Sequence, residues 1–77
     1  MDPGRAWRAG IDAVGLLQTT LSVTFSSPMD IPYVCILMAP PGIVITLSSI
    51  NKTASGFSVD ITVNVAGNVR WVCIPFN

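Results

Sequence analysis

Residues 57–65 alternate without a break, and no other stretch of the chain constrains the fold as tightly. Phe57, Val59, Ile61, Val63 and Val65 fall on one side; Ser58, Asp60, Thr62 and Asn64 fall on the other. Successive side chains of a strand point to opposite faces, so this pattern predicts one apolar face and one wet face. Ser55-Gly56 supplies a turn before it, and Ala66-Gly67-Asn68 leads into a second apolar run at 69–74. The chain reads as all-β.

Other strands follow from the same logic. Leu21-Ser-Val-Thr-Phe25 alternates and stops at Ser26-Ser27-Pro28. Residues 32–38 are apolar on both faces, as are 69–74 apart from Arg70, and 43–50 begins two-sided and becomes alternating. Pro, Gly, Ser and Asn punctuate these runs, which fits a small antiparallel sandwich. Residues 1–20 read differently: Asp2-Pro3-Gly4 suits a turn, and Gly10 and Gly15 weaken any helix by about 1 kcal/mol each. The expected division is an extended or partly helical lead-in over 1–20 and a β-sandwich over 21–77.

An antiparallel sheet normally shows one face to water. Tyr33, Cys35 and Leu37 on one side, with Val34, Ile36 and Met38 on the other, need cover on both. The chain has 77 residues, and only 10% are charged against about a quarter in a typical soluble domain. A core this small leaves apolar surface over, and other copies of the chain are the natural cover. Val34, Ile36, Met38, Val72 and Ile74 are the candidate interface residues. The alternative is that the N-terminal segment folds back over the second face.

Zero net charge argues against a nucleic-acid partner, which needs a concentrated basic surface. No apolar run approaches the roughly 18 residues of a membrane span, and Gly10, Asp12 and Gly15 spoil a signal-peptide reading. Cys35 and Cys73 can either form one disulfide or remain buried thiols; the preferred reading is two thiols, since reduced cysteine behaves as a small hydrophobe. The chain lacks histidine and glutamate, and its four aspartates are scattered, so neither paired carboxylates nor a nucleophile with its base is in view. The expectation is a protein that is not an enzyme and needs neither metal nor cofactor. Asn51-Lys52-Thr53 matches a glycosylation acceptor, but it is read as turn chemistry.

From residue 21 onward the order of features resembles the H-type lectin domain. The matching residues are Val23-Thr24-Phe25-Ser26-Ser27-Pro28, the proline-led run from Pro32 through Leu37, Thr53-Ala54-Ser55-Gly56-Phe57, and Arg70-Trp71-Val72. The similarity covers 21–75. It implies a six-stranded antiparallel β-sandwich that assembles as a homotrimeric knob, with Gly56 in a special turn conformation and Phe57 and Trp71 in the core. Similar domains end bacteriophage tail fibres, while secreted agglutinins of the family bind N-acetylgalactosamine. Gly4-Arg5 matches part of the agglutinins' Gly-Arg-Asp run, but Ala6 replaces the acid. Val44 stands where their strand arginine should be, and the histidine of their Trp-His pair is missing. The agglutinin sugar site therefore does not transfer.

The resulting expectation is the trimeric C-terminal tip domain of a phage tail fibre, in the virion or extracellular, holding copies together and touching a host-surface glycan or other receptor. A free-standing lectin and a purely structural trimerisation cap are the alternatives. Arg5, Trp7, Asp30 and Arg70 are the candidate ligand contacts, with Trp7 offering an aromatic face for a sugar. Arg70 either faces solvent or pairs across an interface with an acid such as Asp60.

Overall fold

The computed structural model describes residues 3–76. After a 3-10 turn at Pro3–Arg5, six strands follow: β1 (Arg8–Val14), β2 (Thr20–Thr24), β3 (Tyr33–Met38), β4 (Ile43–Thr53), β5 (Gly56–Val63) and β6 (Gly67–Pro75). They form two antiparallel three-stranded sheets, sheet I in the order β1-β6-β3 and sheet II in the order β2-β5-β4. The fold is a small six-stranded antiparallel β-sandwich. Asp2, part of the expected opening turn, and Asn77 lie outside the described residues.

β5 keeps the alternation read from the sequence. Phe57, Val59, Ile61 and Val63 are buried, while Asp60 and Thr62 face water. Val65, expected on the apolar side, is exposed, because β5 ends at Val63. The Asn64 and Val65 amides turn instead to the Gly42 carbonyl, at 2.7 and 3.4 Å.

The inner faces meet in one apolar core. Tyr33, Val69 and Cys73 from sheet I pack with Leu21, Val23, Val59 and Ile61 from sheet II. Four rings gather toward one end: Phe57 meets Trp71 edge-on at 5.6 Å, and Phe25 lies 5.8 Å from Tyr33 and 5.9 Å from Trp71. Such tilted and edge contacts add about 0.5–1.5 kcal/mol each beyond area burial.

Residues 8–14, read as lead-in, form β1, the edge strand of sheet I, in register with β6 from Arg8↔Cys73 to Val14↔Gly67. The segment pairs edge-on and so does not fold over the outer face of that sheet. Trp71 is the reason. Its indole lies against Gly10, where a Cβ would overlap the ring, and its Nε1–H donates to Asp12 Oδ2 at 2.9 Å.

Two further expectations change. The cysteines are not free thiols: Cys35 and Cys73 are directly opposite residues on β3 and β6, and they form a disulfide. Both side chains point inward on neighbouring strands, so strand register brings the sulfurs together. Asn51, Lys52 and Thr53 are not turn residues either. They belong to β4, opposite Ser58, Phe57 and Gly56, and only Ala54 and Ser55 make the turn. An irregularity between Thr46 and Asn51 absorbs the extra length. Ser49 patches it: its hydroxyl accepts the Asp60 amide at 2.9 Å and donates to the Thr46 carbonyl at 2.7 Å.

Candidate functional site

The outer faces of the two sheets differ in kind. On sheet I the outward positions are Ala9, Ile11 and Ala13 of β1, Asn68, Arg70, Val72 and Ile74 of β6, and Val34, Ile36 and Met38 of β3. Register arranges them in rows: Ala13 and Asn68; then Ile11, Arg70 and Met38; then Ala9, Val72 and Ile36; then Ile74 and Val34. Ile11, Val34, Ile36 and Met38 are exposed to 59, 43, 49 and 55%. Full burial of an isoleucine or methionine is worth about 1.5–3 kcal/mol of transfer free energy, and each of these half-exposed side chains forgoes roughly half of that. The bare face is therefore a large unrealised driving force.

All five residues expected to contact other copies lie on this one face. Strand alternation aims them the same way, because β3 and β6 are paired neighbours. The contribution of β1 was missed in the sequence. Its inward positions carry Arg8, Gly10 and Asp12 before the buried Val14, so hydrophobic alternation is muted, and its outer side has Ile11 between two small alanines.

The outer face of sheet II is hydroxylated. Thr20 and Ser22 of β2 stand beside Asp60 and Ser58 of β5, Thr24 lies beside Gly56, and Thr62 of β5 is paired with the exposed Val44 of β4. A shallow groove of about 200 Å³ runs over it, lined by Ser22, Thr24, Asn51, Thr53, Ser55 and Ser58. Apart from the exposed Val44 and the charged Asp60, this surface offers neutral donors and acceptors.

The four expected ligand contacts do not form one cluster. Asp30 and the turn holding Arg5 are neighbours, since the Asp30 amide donates to the Gly4 carbonyl at 2.7 Å. Trp7, 67% exposed, follows that turn directly. Arg70 lies apart, at the Met38 end of β3, whereas Asp30 precedes its Tyr33 end. Asp60 cannot reach Arg70 within one chain, because it sits on the outer face of the other sheet.

The end of the sandwich near Tyr33 is tightly tied. The Tyr33 hydroxyl lies 2.7 Å from the carbonyl oxygens of both Thr53 and Gly56. Burial raises its pKa above the ordinary tyrosine value, and the hydrogen bond to Thr53 opposes that shift. Lys52 Nζ donates to the Tyr33 carbonyl at 2.9 Å and stands 5.7 Å from its ring centre. Arg8 reaches the Ser27 and Pro28 carbonyls, which fastens β1 to the β2–β3 loop.

Among the described residues no group of three metal-ligating side chains comes together, and no helix is long and apolar enough to cross a membrane. No family model, curated protein or solved structure matches this chain. Its surface chemistry must therefore be read from its own residues. Two surfaces of different chemistry result: an apolar sheet on one side and a largely hydroxylated sheet on the other.

Proposed function

We propose that this chain is a self-assembling knob, a trimeric tip domain of a phage tail fibre related to the H-type lectin domain. Sheet I packs against its copies, and sheet II faces outward toward the host surface. The observation that carries this reading is the uncovered face of sheet I, where eight of the ten outward positions named above are apolar and the other two are Asn68 and Arg70. A second copy suits it because the face repeats the composition of the core and, among the described residues, carries a single charge, Arg70. The resemblance over residues 21–75 supports three copies rather than two.

Sedimentation at micromolar concentration tests it. The expected species has about three times the 8.2 kDa mass of the chain. A folded monomer at that concentration would sink the proposal.

The hydroxyl-lined groove of sheet II supports a second reading, a lectin whose neutral donors and acceptors take a neutral glycan. Binding on a glycan array that is lost with Asn51→Ala, in a variant that still assembles, would favour it. Intact assembly with no glycan bound leaves a structural cap.

A further inference from the structure

β6 is the middle strand of sheet I, so its outward residues run down the midline of the apolar face. Arg70 is one of them. It is exposed, and its row partners are Ile11 on one side and Met38 on the other. Beside it the face dips into a hollow of about 400 Å³, whose walls include Ile11, Met38, Pro40, Asn68 and Arg70 itself.

No carboxylate among the described residues shares this face. Asp12 points inward and takes the Trp71 N–H, Asp60 is on the opposite sheet, and Asp30 lies beyond the far end of β3. A midline arginine with no acid on its own face gains nothing when the same face of another copy covers it. Copies packed through this face about a common axis would bring their guanidiniums together, and desolvating like charges is strongly unfavourable. Either the face stays open or something negative enters with it.

We infer that assembly, on the reading proposed above, turns Arg70 into an anion site completed only by the other copies. The guanidiniums supply forked donors suited to a tetrahedral oxyanion, and the Asn68 carboxamides add neutral ones. The hollow has room for such an ion and several waters, each water occupying about 30 Å³. Because the midline is closed off by the packed faces, the occupant is a free inorganic oxyanion, phosphate or sulfate, and not a group on a polymer.

The test compares the full chain and its Arg70→Met variant by sedimentation equilibrium, in sodium phosphate and in sodium chloride at matched ionic strength. Phosphate also strengthens apolar association in general by exclusion from protein surface, and the variant isolates that effect. For the unaltered chain, millimolar phosphate is expected to lower the concentration of half-assembly at least tenfold. Arg70→Met should assemble equally well in both salts, and equilibrium dialysis should find one phosphate per trimer of the unaltered chain. Assembly of the unaltered chain that ignores phosphate, or an equal response in Arg70→Met, would overturn the anion site while leaving the knob intact. A monomer in every salt would remove the knob and the anion site together.

Discussion

The hydroxyl of Tyr33, on sheet I, reaches the carbonyl oxygen of Gly56, on sheet II, at 2.7 Å. This link joins the two layers at the end where the β4–β5 turn closes. It places the phenol in a site that disfavours its ionised form. A folded-state pKa above the unfolded one gives stability that is complete below about pH 10, the unfolded value, and is lost as pH rises through the folded value. Thermal unfolding midpoints should therefore fall above pH 10, and Tyr33→Phe should flatten that fall. Tyr33 is the sole tyrosine in the chain, so its ultraviolet absorbance titration reads the same group directly.

Cys35 and Cys73 close a loop with a sequence separation of 38. In the chain-entropy model such a loop contributes about 4 kcal/mol, a large share of what a domain of this size possesses. Chemical denaturation with and without a reducing agent should show a loss of that order. An unchanged midpoint would mean that the core holds without the bond.

Gly56 is buried where β5 meets β2, and a Cβ placed there would overlap the Val23 carbonyl oxygen. Backbone cannot give way as a flexible side chain can. Gly56→Ala should cost about 2–3 kcal/mol of unfolding free energy, measured by urea titration. Gly15→Ala is the control, since nothing stands near its Cβ position.

Charge on the two outer faces should have unequal effects. Ile36→Asp places a carboxylate in the middle row of the apolar face, whereas Thr62→Asp adds one to a surface already wet. Light scattering should show a smaller species for Ile36→Asp, while Thr62→Asp retains the size of the unaltered chain. Equal masses for the two variants would place self-association elsewhere.

Much of sheet II was legible because its strands alternate cleanly and its inner side chains are large and apolar. β1 was not. All but the last of its inner positions, Arg8, Gly10 and Asp12 ahead of Val14, look unlike core until Trp71 arrives from the far end of the chain to cover one and hydrogen-bond another. Asn51-Lys52-Thr53 has the composition of a turn, yet the irregularity at 47–50 lets the ladder resume through it. The apolar face of sheet I was foreseen from its two-sided strands, while the hydroxylated groove of sheet II depended on three strands lying side by side.

What the sequence determined by itself is the sidedness of individual strands, because strand periodicity is local: each side chain points away from its neighbours whatever the rest of the chain does. The tertiary structure alone decided the long-range pairings. Register across β3 and β6 set Cys35 against Cys73, and register across β1 and β6 placed Ile11 beside Arg70 on one face. Those pairings join residues 38 and 59 positions apart, and no local pattern carries information about such partners. The alternation at 57–65 established that a sheet exists. Only the packed sandwich established that its polar side looks away from the apolar outer face of sheet I.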